Sequence, residues 1–121
     1  MASLLVVDDD ADVLEATCAV LKAAGHSVSG VPDALAALEI IESKAPIDLL
    51  MTDVVMPGLH GFGLARMALI RRPDLKILYV SGHSELKEAD DAAQLGRMLC
   101  KPVKPDGLRR EVDEALSGGT G

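Results

Sequence analysis

Four short apolar runs in this chain each lead into a group that phosphoryl chemistry can use. Leu4-Leu5-Val6-Val7 runs into Asp8, Asp9 and Asp10; Ile47-Asp48-Leu49-Leu50-Met51 precedes Asp53; Ile77-Leu78-Tyr79-Val80 precedes Ser81; Met98-Leu99-Cys100 precedes Lys101. If the first and third runs lie side by side, their carboxylates converge, and like charges at that range cannot all stay ionised in a dry site unless a cation joins them. Mg²⁺ is the natural candidate, because it prefers oxygen ligands, keeps several waters and takes one or two carboxylates plus a substrate phosphate. No thiolate or histidine pair stands at zinc-ligand spacing. Asp53, at the end of the central run, is the candidate nucleophile for an aspartyl phosphate, whereas the neighbours Asp8 and Asp9 can share a metal directly or through water. The Ser81 hydroxyl and the Lys101 ammonium would bind phosphoryl oxygens and, with the cation, neutralise charge that develops during transfer. Pro102 constrains the peptide that aims Lys101.

The elements that must position these groups are legible in the hydrophobic pattern. The first three runs read as parallel strands buried on both faces, and Ser27-Val28-Ser29 and Met98-Leu99-Cys100 as weaker strand signals. Helical patterns separate them: about 12–24 with Leu14, Cys18 and Leu21 on one face, about 34–44 with Ala34, Leu38 and Ile41 on one face and Leu35 beside them, about 62–71, about 86–95, and 105–116. Gly25 ends the first, Pro46 follows the second and Pro73 follows the third. The order is βα five times over, which predicts a doubly wound α/β domain with helices on both faces of a parallel sheet. Ligands of such sheets sit beyond the carboxyl ends of the strands, where the strand order reverses. Residues 1–117 read as one domain and 118–121 as a flexible tail.

Ordinary structural roles account for other polar residues. Asp10 is placed to cap the first helix and Asp12 to sit in its solvated first turn. Taken singly, Asp53, Ser81 and Lys101 would be loop residues; their joint placement with Asp8-Asp9 on four strand ends is what points to a site. His26, His60 and His83 show no ligand spacing, and Met56, Met67 and Met98 read as packing residues.

Composition excludes several function classes. The chain has 121 residues, 12 Lys plus Arg against 19 Asp plus Glu, and a net charge of −7, with the basic residues scattered. That argues against nucleic-acid binding by this domain alone. No stretch is apolar for the ~18 residues a spanning helix needs, and the N-terminal run lacks the flanks of a secretory signal, so the expected compartment is the cytoplasm and no membrane partner is expected. With one Tyr, one Phe and no Trp, the core is aliphatic. Cys18 and Cys100 stand in apolar surroundings and read as buried thiols.

At the same residues the sequence resembles the receiver domain of bacterial two-component response regulators, over about Ser3 to Leu116. The resemblance is carried by Leu5-Val6-Val7-Asp8-Asp9, by Asp48 through Gly58 with Gly61, by Val80-Ser81-Gly82 and by Lys101-Pro102. It implies a flavodoxin-like sheet in the order 2-1-3-4-5. It implies Asp53 as phospho-acceptor, Asp8, Asp9 and the backbone carbonyl of Val55 around Mg²⁺ with Asp53, Ser81 as switch hydroxyl and Lys101 as the phosphoryl-binding lysine. The function implied is a signalling switch rather than an enzyme. The donor would be a histidine kinase or histidine phosphotransfer protein docking near the first helix, and the output a protein partner reading the fourth helix, fifth strand and fifth helix. Some of the wording is also similar to receivers at the C-terminal end of hybrid sensor kinases, while the start at Met1 favours a free-standing regulator or an N-terminal receiver. Three departures stand out: Met98 occupies a position that is often aromatic, Val55 offers no side-chain group to an attacking water where His83 could, and Glu88-Ala89-Asp90-Asp91 is acidic where many receivers dimerise. The competing readings are a pseudo-receiver that binds without being phosphorylated and a haloacid-dehalogenase-like phosphatase, to which Asp8-Asp9-Asp10 offers a DxD but the rest of the chain offers no late paired acids.

Overall fold

The structure is a computed structural model that describes residues 2–56, 58, 60–81, 97–100 and 103–117. Strands β1 (Ser3–Val7), β2 (Ser27–Val31), β3 (Leu49–Asp53), β4 (Lys76–Ser81) and β5 (Arg97–Cys100) form one parallel sheet in the order β2-β1-β3-β4-β5. Helices α1 (Ala11–Ala23), α2 (Ala34–Glu42), α3 (Gly61–Arg71) and α4 (Pro105–Leu116) complete the described elements. Helix α4 is the fifth helical pattern of the sequence; the fourth, at 86–95, and the tail at 118–121 lie outside the described residues. The doubly wound fold and the strand order are those expected.

Alternation along the strands splits the apolar residues between two layers. Leu5, Val7, Leu50, Ile77 and Tyr79 face α2 and α3, while Leu4, Val6, Met51, Leu78 and Val80 face α1 and α4. A strand buried on both faces has no polar side to present, which is why these runs lack a polar alternation. Asp10 caps α1, its carboxylate accepting the N–H groups of Asp12 (3.0 Å) and Val13 (3.2 Å), and Asp33 caps α2 through the N–H of Ala36 (2.8 Å). Arg72, just past α3, closes the other end of α2. Its guanidinium donates to the carbonyls of Ile41 (3.0 Å), Ile40 (3.4 Å) and Ser43 (2.8 Å) at the helix end, where the Ile40 carbonyl also accepts the N–H and hydroxyl of the capping Ser43.

Local readings need four corrections. The third strand begins at Leu49, because Ile47 and Asp48 precede the β3 ladder: Asp48 instead ties its N–H to the Ser3 carbonyl (2.7 Å) and its carboxylate to the Ser3 N–H (2.8 Å). The second strand runs two residues further, to Val31. On α2, Ala37 rather than Leu38 is fully buried with Ala34 and Ile41, and Leu35 is 73% exposed. Met67 is not a core residue, being 43% exposed on the outer face of α3. Cys18 is buried as expected, and burial pushes its thiol up against a smaller opposing influence of Lys22. The Cys100 side chain lies outside the description.

The two aromatic residues of the chain meet, Phe62 of α3 edge-on to Tyr79 of β4 with centroids 5.0 Å apart. Tyr79 is fully buried and its hydroxyl has no hydrogen-bond partner among the described residues. Burial pushes this phenol up to about 12, with Arg66 opposing. An unfolded tyrosine ionises near ~10, so Tyr79 leaves stability unaffected below pH ~10 and erodes it as pH rises toward ~12, where only the unfolded chain has released the proton. As the sole tyrosine, it can be followed by ultraviolet phenolate absorbance. The native protein should show no phenolate until pH approaches 12, and phenolate near pH ~10 with native circular dichroism would contradict its burial. Arg72→Ala is expected to destabilise the domain by about 1–3 kcal/mol in urea unfolding, since it strips carbonyls at the α2 terminus of a charged donor.

Candidate functional site

Strand β1 pairs with β2 on one side and β3 on the other, so the winding reverses between β1 and β3. Val7 pairs with Thr52 in register, which sets the next residues, Asp8 and Asp53, beside each other at the carboxyl edge. There the carboxylates of Asp8, Asp9 and Asp53 lie within 4.8 Å of one another. Asp8 and Asp53 are each 6% exposed, whereas Asp9 faces solvent. Asp8 accepts the N–H of Asp10 at 2.9 Å, which fixes one of its oxygens, and its own N–H donates to the Val31 carbonyl at 3.2 Å.

On the far side of Asp53 the sheet continues. Asp53 pairs with Val80, the Val54 N–H donates to the Val80 carbonyl (3.0 Å), and Ser81, fully buried, pairs in register with Cys100 of β5. Lys101 follows β5 in sequence and lies outside the described residues, as does His83. Val55, in the bend after β3, is exposed. The structure thus brings Asp8, Asp9 and Asp53 together with Ser81 on the adjacent strand.

The loop after β3 contains two backbone requirements. Gly58 has φ +88°, a conformation that favours glycine. Gly61, the first residue of α3, lies against the Asp53 peptide: a Cβ there would fall 2.1 Å from the Asp53 carbonyl oxygen and 3.1 Å from the Val54 Cα, while the Gly61 N–H donates to the Val54 carbonyl at 2.8 Å. The start of α3 is therefore seated directly on the backbone that carries Asp53. Sequence reasoning placed Gly61 in a pattern but missed this contact, which no local propensity signals.

Also missed was a cavity of 580 Å³ between α1 and α4, lined by Val13, Val20, Val103 and Leu108 and reaching Asp8 and Asp53. A larger one, 710 Å³, lies at the opposite edge of the sheet beside His26 and Asp113. There the His26 Nδ1 accepts the Ala2 N–H at 3.2 Å and its Nε2 lies 3.8 Å from Asp113, a structural setting remote from the carboxylates.

The donor set is carboxylate oxygen alone, without thiolate or imidazole, two members buried and one open to water. That suits a hard divalent cation which retains waters, as Mg²⁺ does. Comparison with known proteins decides the family. Residues 4–113 match the response regulator receiver domain.

This chain belongs to the response regulator receiver domain family.

Among curated relatives, this receiver is 33% identical over 118 residues to the response regulator receiver protein CpdR of Brucella abortus, covering 96% of this chain and 98% of CpdR. It is also 33% identical over 114 residues to the DNA-binding transcriptional regulator NtrC of Escherichia coli, covering 93% of this chain but 24% of NtrC. A solved receiver domain protein from Clostridium thermocellum superposes with a TM-score of 0.90 at 27% identity, over 98% of this chain and 97% of that one. Receivers are switches of two-component signalling rather than enzymes in the ordinary sense. No described helix is long and apolar enough to cross a membrane.

Gly61→Ala tests the seat of α3 on Asp53. The added methyl must displace backbone, and a cost of about 1–3 kcal/mol is expected in urea unfolding, with the Asp53 and Val54 amide resonances shifted. Unmoved resonances would show that the contact does not hold the loop.

Proposed function

We propose that this receiver is a phospho-accepting switch in a phosphorelay, with Asp53 as acceptor. The convergence of Asp8, Asp9 and Asp53 beside Ser81, at the point where the sheet reverses, is the observation that carries the reading. A carboxylate oxygen of Asp53 attacks the phosphorus of a phosphohistidine on a histidine kinase or histidine phosphotransfer protein. The O–P bond forms as the N–P bond breaks; the bond pair stays on that ring nitrogen, and the ring, which carries its proton on the other nitrogen, leaves as neutral imidazole. Asp8, Asp9, Asp53 and the Val55 backbone carbonyl would hold Mg²⁺, which when bound would supply charge neutralisation for the phosphoryl oxygens.

The remaining work belongs to the chain. Asp8 is oriented by the Asp10 N–H and Asp53 by the backbone seat at Gly61. The N-terminus of α1, just beyond Asp10, directs its positive end toward the same edge. Ser81 donates its hydroxyl to a phosphoryl oxygen and Lys101 contributes its ammonium. Phosphorylation then shifts the population of two conformations, read by a downstream protein partner in the cytoplasm, without nucleic acid or membrane contact by this domain.

Intact mass after incubation with acetyl phosphate tests this. The expected result is one phosphoryl adduct with Mg²⁺, none with EDTA, none in Asp53→Ala, and a raised Mg²⁺ requirement in Asp9→Ala. A folded protein that gains no adduct and does not respond to beryllofluoride would instead be a pseudo-receiver, and turnover of a generic phosphate ester would indicate a phosphatase.

A further inference from the structure

Helices α2 and α3 lie side by side on one layer, and their outer faces carry apolar residues that the fold does not use. Leu35 of α2 is 73% exposed and Ile70 of α3 is 78% exposed, with Met67 beside it. Other exposed large apolar residues among those described, Val13 and Val55, are on α1 and in the bend after Asp53. On α3, Met67 and Ile70 are three apart and so share a face. Contiguous exposed apolar surface marks an interaction site where isolated residues do not.

The charges around this patch are sorted by helix. The charged residues of α2 are all acidic, including the exposed Glu39, and those of α3 are all basic, including the exposed Arg66. The seam between them holds a loose Arg71–Glu42 pair at 3.7 Å, with both side chains more than half exposed.

We propose that this face is a homodimer interface in which α2 of each copy packs on α3 of the other. The commitment to a second copy rests on self-complementarity. A two-fold axis lying between the helices and parallel to them sets the partner's α2 over this copy's α3 and keeps every residue at its own height. Acidic helix then meets basic helix twice. An axis across the helices would instead oppose α2 to α2 and α3 to α3, like charge on like.

Heights also agree. Counting about 1.5 Å per residue from the Arg71–Glu42 pair puts Glu39 about 4.5 Å and Arg66 about 7.5 Å above it, close enough to pair across the axis. On the same count Leu35 lies about 10.5 Å and Met67 about 6 Å above that pair, within about one helical turn of each other across the axis, and Ile70 lies about 1.5 Å above it, beside the charged pair. The face is small, two helices about 14–17 Å long, below the ~800 Å² per partner of a stable complex. The dimer is accordingly weak, reversible and sensitive to salt. None of the residues that make this face belongs to the carboxylate cluster, so the association is expected without a phosphoryl group.

Sedimentation equilibrium from about 10 μM to about 1 mM, at low and at high salt, tests this on the unphosphorylated chain. The expected result is a monomer–dimer equilibrium that weakens as salt rises. Ile70→Asp should abolish dimerisation and Arg66→Glu should weaken it by about tenfold or more, both with native circular dichroism. Adding Glu39→Arg to Arg66→Glu restores the pairing by exchanging the charges, and dimerisation should recover. A chain monomeric throughout the range would overturn self-association and leave the face to a different protein. A dimer indifferent to Ile70→Asp and Arg66→Glu would overturn the placement.

Discussion

Like charge at the carboxyl edge of the sheet is the constraint that the rest of the molecule is arranged around. Asp8, Asp9 and Asp53 lie within 4.8 Å of one another, two of them nearly sealed from water. Unrelieved, such a cluster disfavours the folded chain, because the low dielectric around a buried charge strengthens repulsion. The strands that hold it offset this with apolar burial on both faces, and Asp8 is further held by a backbone N–H. A cluster of carboxylate oxygens this close is one whose mutual repulsion a divalent cation relieves, so its geometry suits a hard cation.

Changes at Asp53 have a short mechanical route outward. The Asp53 carbonyl touches Gly61, and Phe62, the next residue, rests edge-on against Tyr79, which stands two residues before Ser81 on β4. The strand carrying Asp53, the α3 N-terminus and the strand carrying Ser81 are therefore packed as one unit. Arg72 fastens the opposite end of α3 to the end of α2, so α3 is anchored at both ends.

Much of this was readable from residue order. Strand positions followed from apolar runs with no polar alternation, and the site from polar groups at run ends, because a sheet buried on both faces leaves the strand ends as the places for charge. The order 2-1-3-4-5 did not follow from periodicity, which reports burial but not which strands are neighbours; it came with the family resemblance. Individual side chains were harder. Leu35 and Met67 are apolar yet exposed, since three or four buried positions saturate a short helix and residues about 100° around it are left outside whatever their type. Gly61 was legible as a residue but its contact was not, because it depends on how two segments meet in space.

The aromatic residue that many receivers place three positions before the lysine is Met98 here, and the structure shows what fills the layer instead. Tyr79 on β4 pairs in register with Met98 on β5, and both belong to the core facing α2 and α3. A methionine beside a ring is a pliable neighbour, able to change rotamer where a second ring would be locked by size. The Tyr79 hydroxyl lies buried with no hydrogen-bond partner among the described residues, and leaving such a group unpaired costs on the order of 1–3 kcal/mol. The core layer beneath Ser81 thus pairs a buried polar ring with a flexible side chain, packing that a switch domain can rearrange at small cost.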